Sequence, residues 1–510
     1  MKITLISTCT YPSDQGVRTI SAVLKKEGHK VNLIFMTLSE DYSINYSKSE
    51  LFQLAKLCKG SQLIGINSFA STAHRAARII HFLKKLNIPI AYGGVHATIC
   101  PEECIKHTDI VCVGEGEGAV LDLVNTIEKK KDISKIKNFW IRKNGEIIKN
   151  PVRNTIDDLD SLPFPDFEIN SHHLLEKGRI RKFRESDLDG QIFFLTGRGC
   201  PYGCDYCSNS LFNELYRGKC AKILRWHSPE CIINGILFLK KKFPTLSYFD
   251  VRDDTFSLRP LEQIKEFCKL YKEKVKMRFK CLGDPKTITD EKIKLLIDAG
   301  CTDIIIGIQG SERTNKEIYH RAQSNANVLK AGQILSKYKD KLAVMYDVIT
   351  CNPYEKPEDI IGLIRLLQKV PKPYFLSVNN LVFFPGTKLD TRARVDGIIK
   401  KESDAAYQLN YWDRSTHIRL KRTNMYLVLI LNLMRGAVTE KRFGPMPNSL
   451  INYLLEEHRV RDNLRNPFNT LTVLRMVGLY DLIRERILKP TYRSLPTNFK
   501  VWYDKVRYQV

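Results

Sequence analysis

The sequence predicts an α/β chain in three parts: a doubly wound parallel sheet at the N-terminus, an open, partial (β/α)6 barrel in the middle, and a mainly α-helical C-terminal region. Three observations carry this prediction. Short β-branched runs alternate with helical patterns from Ile3 onward, a second alternating series starts at Gln191, and strand signals fade beyond Asp390. Strands that alternate with helices form parallel sheets covered by those helices. At 510 residues the chain is too long for one ordinary core. The expected divisions are 1–135, a linker at 136–190, the central series at 191–390 and the helical region at 391–510.

In the first part, strands are expected at 3–7, 31–36, 63–67, 89–92 and 110–113, with helices near 17–26 and 73–85. Ligands of such sheets sit beyond the carboxyl ends of the strands. That singles out the loops 8–17, 68–72, 93–98 and 114–118, all rich in Gly, Ser, Thr or acidic residues. The connector is dense in charge, Asp and Pro, as in Asp157-Asp158-Leu159-Asp160 and Leu162-Pro163-Phe164-Pro165, and reads as a linker wrapped over a neighbouring surface. In the central part, strands are expected near 191–196, 246–251, 277–282, 303–308, 342–349 and 375–383. Six β/α units in this length suit a partial parallel barrel, whose sites also lie at the strand carboxyl ends.

The C-terminal region, with helices over 411–489, carries 22 Lys and Arg against 11 Asp and Glu over residues 391–510, within a whole-chain net charge of +25. This excess points to an anionic partner: a phosphorylated or nucleotide-linked small molecule, nucleic acid or a membrane surface. The longest apolar run, 425–434, falls well short of the roughly 20 residues that span a bilayer. The stripe 471–489, with Arg475, Arg484 and Arg486, allows peripheral contact with an anionic membrane and a lipid-like substrate, although a helix packed on its own domain has the same pattern. The 14 cysteines are mostly scattered singly, and MKITLIS runs straight into a strand pattern. Both features fit a reducing cytoplasm.

The decisive string follows the first strand of the second series: Thr196-Gly197-Arg198-Gly199-Cys200-Pro201-Tyr202-Gly203-Cys204-Asp205-Tyr206-Cys207, a CxxxCxxC spacing. Three thiolates on a loop bent by Gly and Pro can converge on one metal centre, and iron–sulfur clusters take Cys ligands. Structural zinc calls for four ligands, commonly as two CxxC pairs, and no second pair is present. Three ligands on a four-iron cluster leave one iron open.

The segment resembles the radical S-adenosylmethionine (SAM) superfamily, whose CxxxCxΦC motif has an aromatic where Tyr206 stands. The resemblance implies a 4Fe-4S cluster on Cys200, Cys204 and Cys207, with SAM chelated by its amino and carboxylate groups to the open iron and Tyr206 near the adenine. It also implies the family's reaction, in which one electron cleaves SAM to methionine and a deoxyadenosyl radical that abstracts hydrogen from an unactivated carbon. The electron would come from a donor such as flavodoxin or ferredoxin. Asp254, in Asp253-Asp254-Thr255-Phe256 after the second strand, would meet the methionyl amine, unless the pair simply caps a helix. Gly307-Ile308-Gln309-Gly310-Ser311 resembles the family's GI(E/Q)SG stretch, which places Gln309 near SAM. With Gly310 where Ser is usual, any hydroxyl contact falls to Ser311.

Ala91-Tyr92-Gly93-Gly94-Val95-His96-Ala97-Thr98 and Cys112-Val113-Gly114-Glu115-Gly116-Glu117 resemble the Rossmann-like cobalamin-binding domain of the cobalamin-dependent radical SAM subgroup. Gly93 and Gly94 would let the backbone approach a large flat ligand. Thr10, Ser68 and Thr72 would donate to the nucleotide or the corrin amides, and Val95, His96, Glu115, Gly116 and Glu117 complete the expected site. No DxHxxG string is present, so no histidine is placed to ligate cobalt from below, as one does in the related mutases.

The implied activity is methyl transfer from methylcobalamin to a substrate radical on a small-molecule or lipid-like, anionic substrate. Cyclisation, epimerisation, desaturation or carbon–carbon coupling with the same cofactors is the alternative. A tRNA methylthiotransferase is disfavoured, because GGVHAT occupies the region where that family's cysteine-bearing loop would lie and the tail reads as helices rather than a small β-barrel. Nucleic acid is therefore not the expected partner.

Overall fold

The structure, a computed structural model, describes residues 1–38, 44–188, 190–405, 407, 420–444, 446–457, 460 and 475. The described residues group into two compact units. The first takes in the described residues of 1–254, 273–277 and 382–407, and the second those of 255–272, 278–381 and 420–475.

In the first unit, Lys2–Ser7 lies between Lys30–Phe35 and Leu63–Asn67, all three parallel. Ile90–Gly93 and Ile110–Cys112 continue the parallel order outward. Ile3, Ile6, Ile34, Ile64 and Ile66 are at most 2% exposed, as strands covered on both faces require. Helix Gln15–Lys26 starts where the Asp14 carboxylate accepts from Val17 N–H, and it ends on Lys25 and Lys26, which complement its dipole. Helix Lys48–Cys58 is not anticipated above. Its signal was the capping box, in which Ser47 and Glu50 satisfy each other's backbone N–H.

The segment expected as a plain linker contributes strands as well. Phe139–Lys143 and Glu146–Lys149 form a hairpin that pairs antiparallel with Ile110–Cys112. At the opposite edge His172–Glu176 adds in parallel to Lys30–Phe35 and is followed by antiparallel Arg179–Lys182. The sheet thus reaches nine strands. An open parallel edge exposes unpaired backbone groups, and the connector satisfies them. Arg18 anchors the connector to the first helix. Its guanidinium is fully buried 4.2 Å from the Phe167 ring centre, and it donates to Asp166 O and Pro12 O at 2.7 Å each. Burial pushes this group down to about 9, against the pull of Asp166 and Asp14.

All six strands of the second series form. Gln191–Phe194 and Tyr248–Val251 pair in parallel in the first unit. Arg278–Gly283, Cys301–Gln309, Ala343–Thr350 and Tyr374–Asn380 run parallel in sequence order in the second. Beyond residue 390, helices Arg422–Leu433 and Asn448–Leu454 flank three short strands, Gly436–Val438, Arg442–Phe443 and Met446–Pro447. Runs of two or three residues are too brief for alternation to reveal them. The apolar run 425–434 is buried against helix Pro357–Lys369. Among the described residues no helix is long and apolar enough to cross a membrane. The expected stripe 471–489 lies outside the described residues except for Arg475.

Candidate functional site

The thiol loop is held at its entry by a buried carboxylate. Asp253 accepts from Thr196 N–H and Thr196 Oγ1 at 2.5 Å each and from Gly197 N–H at 3.0 Å. This is a structural clamp rather than a helix cap. Gly197–Arg198 then pairs with Arg225–Trp226, so closely that a Cβ on Gly197 would stand 2.3 Å from Trp226 Cδ1. Gly199 has φ +91°, and its missing Cβ would lie 2.1 Å from Ile223 O, so only glycine fits there.

Past this bend come the three thiols. Cys204 is buried, Cys200 and Cys207 are half-buried, and Cys207 is the cap residue of helix Ser208–Leu215. Asn213 Nδ2 donates to Cys200 O at 2.9 Å, Cys207 N–H to Cys204 O at 3.0 Å, and Leu389 N–H to Asp205 O at 3.0 Å. Burial pushes the Cys200 thiol up to about 12, with Asp254, Cys207 and Cys204 adding to the rise. Burial thus favours the protonated thiol, and a bound cation would favour the thiolate. Three sulfur donors on one glycine-bent loop, ending at the positive end of a helix, suit an anionic iron–sulfur cluster.

Asp254 is exposed beside this loop. The surrounding protein raises its carboxyl, a hydrogen bond from Asn209 opposes the rise, and Asp253 adds to it. Tyr206 is half-buried within the loop.

The loops of the N-terminal sheet meet the entry strand of the thiol loop. Gln15 Nε2 donates to Leu195 O at 3.1 Å, and Leu195 N–H donates to Gln15 Oε1 at 2.6 Å. Arg198 donates to Glu117 at 2.6 Å and approaches Glu115 at 3.3 Å, while Arg225 pairs with Glu115 at 2.8 Å. Burial alone would raise the Glu117 carboxyl, but Arg198 holds it below the usual range. Glu115 also accepts from Ile156 N–H at 2.9 Å. Both carboxylates are thus engaged by protein groups. Gly116 is the cap residue of helix Glu117–Glu128, with Glu115 in the loop before it.

Other expected donors are similarly committed. Ser68 is fully buried and shares a 2.7 Å hydrogen bond with Tyr92 OH, and Thr72 receives one from Thr8 at 2.9 Å. Thr10 is half-buried. Gly93 closes its strand, whereas Gly94, at φ +96°, is required by the protein itself: its Cβ would lie 1.7 Å from Asn67 Oδ1. Gly94→Ala is therefore expected to cost about 3 kcal/mol, combining strain and clash, and to lower the anaerobic melting temperature. Val95 opens helix Val95–Ile99, on which His96 is 1% exposed. On these strand-end loops Tyr11 is 52% exposed and Phe69 44%, and Leu195, after the first strand of the second series, is 39% exposed.

In the second unit, Gln309 ends its strand at φ +66°, beside a shift in register. Gly310 is explained by packing, since its Cβ would lie 2.7 Å from Thr314 Cγ2. The Ser311 hydroxyl is buried; it donates to Thr314 Oγ1 at 2.9 Å, and Thr314 in turn donates to Glu355 at 3.0 Å. Burial pushes the Glu355 carboxyl up to about 8, against the Thr314 hydrogen bond. The folded chain therefore keeps a proton that the unfolded chain releases in the ordinary glutamate range. Stability should fall as pH rises from that range to about 8. Glu355→Gln is expected to flatten this slope, raising the melting temperature at pH 8 more than at pH 5 in a pH series of thermal melts.

A family model described as B12 binding domain matches residues 1–124, and one described as Radical SAM superfamily matches residues 194–367. The chain is 24% identical over 384 residues to an uncharacterized methyltransferase of Pyrococcus horikoshii, covering 73% of this chain and 77% of that protein. It is 23% identical to the bacteriochlorophyllide d C-8(2)-methyltransferase of Chlorobaculum tepidum, covering 68% and 71%. The fold matches that of the cobalamin-dependent SAM radical enzyme OxsB, solved with aqua-cobalamin and SAM, with TM-score 0.66 at 15% identity over 99% of this chain and 83% of that one. It also matches the radical SAM methyltransferase TsrM from Kitasatospora setae, solved with cobalamin and a 4Fe-4S cluster, with TM-score 0.59 at 12% identity over 78% and 75%.

Proposed function

The chain belongs to the radical SAM enzymes that carry a cobalamin-binding domain, and from that premise we propose that it methylates an unactivated carbon of a small anionic molecule. Its cofactors are a 4Fe-4S cluster, SAM and cobalamin. When bound, they supply a hydrogen-abstracting radical and the methyl group that the substrate radical takes.

Cys200, Cys204 and Cys207 hold the cluster, and the Asp253 clamp fixes the backbone from which they project. Asp254 accepts from the methionyl amine of SAM, and Tyr206 borders the adenine. Gln309 shapes the strand end on the SAM side, where the Ser311 hydroxyl acts through Thr314 rather than on the cofactor. On the N-terminal lobe, Tyr11 and Phe69 offer apolar contact to the corrin, next to Thr10. Ser68, Thr72 and Gly93 to His96 shape the loops behind it. Glu115 and Glu117 act through Arg198 and Arg225.

One observation carries this reading. Gln15 and the two glutamates tie the strand-end loops of the N-terminal sheet to the strand that enters the thiol loop. Radical generation and methyl supply must address the same carbon, and these contacts, all within the first unit, support a shared site. Flavodoxin or ferredoxin supplies the electron. The enzyme works in the cytoplasm, with the basic C-terminal region as its means of peripheral membrane contact and a lipid-like substrate within its range.

The test is to incubate the anaerobically reconstituted enzyme with cobalamin, reductant, candidate substrates and SAM deuterated in its methyl group. The expected product gains one labelled methyl. A product that forms without the label would assign cyclisation, epimerisation, desaturation or coupling instead.

A further inference from the structure

Immediately after the Gly93–Gly94 turn, helix Val95–Ile99 breaks at Cys100, and Pro101–Cys104 restarts the winding. His96, Cys100 and Glu103 lie on either side of and at this break, which brings their side chains together. One donor atom from each, an imidazole nitrogen, a thiol sulfur and a carboxylate oxygen, lies within 4.8 Å of the others. We propose that these three side chains bind one zinc ion, separate from the cluster and from cobalamin.

His96 supplies the independent observation. Its side chain is buried, and neither ring nitrogen has a hydrogen-bond partner. Nε2 stands 3.3 Å from Glu103 Oε2, but the pair is not aligned as a hydrogen bond. An imidazole buried with an unpaired Nδ1 and only this misaligned carboxylate at Nε2 is costly, and a metal ion removes that cost. Glu103 is 45% exposed at its side chain, which leaves a route for entry from solvent. Mixed N, S and O donors suit zinc, with a water in the fourth position. Binding displaces the Cys100 proton to solvent, and the thiolate takes the metal.

A second trio, Asp160, His227 and Cys231, also falls within 4.8 Å, but it is complete without a metal. His227 Nδ1 pairs with Asp160 at 2.9 Å, and Asp160 also accepts from Ser228 N–H. It therefore serves as the internal control. Zinc on the first trio would brace the segment that follows the glycine turn, next to the proposed corrin surface.

The test uses the full-length protein with its cluster reconstituted, so that iron occupies the loop thiols. Zinc is titrated against a competing chelator, counted by elemental analysis after desalting, and probed by zinc X-ray absorption. One zinc per chain with a sulfur neighbour is expected. Cys100→Ser and His96→Ala should each weaken binding by at least about tenfold, Glu103→Gln should weaken it less, and Cys231→Ser should leave it unchanged. Unaltered iron content in every variant separates loss of zinc from misfolding. Failure to bind zinc, zinc that survives Cys100→Ser, or zinc lost with Cys231→Ser would overturn the assignment.

Discussion

Alanine in place of Cys200, Cys204 or Cys207 is expected to reduce deoxyadenosine release from SAM by on the order of 10³-fold or more, equivalent to at least about 4 kcal/mol of barrier. The loss should be nearly all-or-none, because two thiolates cannot hold the cluster with one iron vertex reserved for SAM. Cys9, Cys58, Cys104 and Cys112 are buried among the N-terminal elements, and alanine at Cys58 should leave SAM cleavage intact. The contrast is read by quantifying deoxyadenosine, with iron and sulfide content measured on the same samples.

The second large effect comes from a residue that carries no cluster ligand. Asp253→Ala removes the acceptor for two buried backbone N–H groups and one hydroxyl. Donors left unsatisfied beside a lost charge-assisted network should destabilise the protein by about 3 to 5 kcal/mol. The loss should appear first at the thiol loop, since Thr196 and Gly197 fix the direction of the backbone that reaches Cys200. Cluster content after reconstitution is expected to fall together with the melting temperature. Asp253→Asn should cost less, because its amide oxygen can still accept from both backbone N–H groups and the Thr196 hydroxyl can turn to accept from its amide nitrogen, so that mainly the charge is lost. A variant that keeps full cluster content and wild-type stability would remove Asp253 from its positioning role.

What the sequence disclosed was local. The thiol motif is legible because its three cysteines and its bending glycines lie within a dozen residues, and the alternation of strand and helix is legible because each period is short. The two edge hairpins were hidden by charge, which suits solvent-facing edge strands as well as linkers. Glu115 and Glu117 stood out as polar loop residues, but their partners could not be read: Arg198 lies 81 positions from Glu117, and Leu195 lies 180 from Gln15. Gly94 was singled out for the approach of a ligand, whereas the crowding that requires a glycine there comes from Asn67 and Ser68, which only the sheet brings near. Likewise the hydroxyls of Ser68, Thr72 and Ser311 looked available for ligands until the fold supplied Tyr92, Thr8 and Thr314. Side-chain availability is a tertiary property, and spacing alone does not report it.

The most direct test is electron paramagnetic resonance of the reduced, anaerobically reconstituted protein with and without SAM. A 4Fe-4S signal that changes on adding SAM, with coupling to isotope-labelled nitrogen in its amino group, is expected for the wild type and should vanish when any of the three loop thiols is replaced. A signal indifferent to SAM, or one that persists in the Cys204→Ala protein, would contradict the assignment of these thiols.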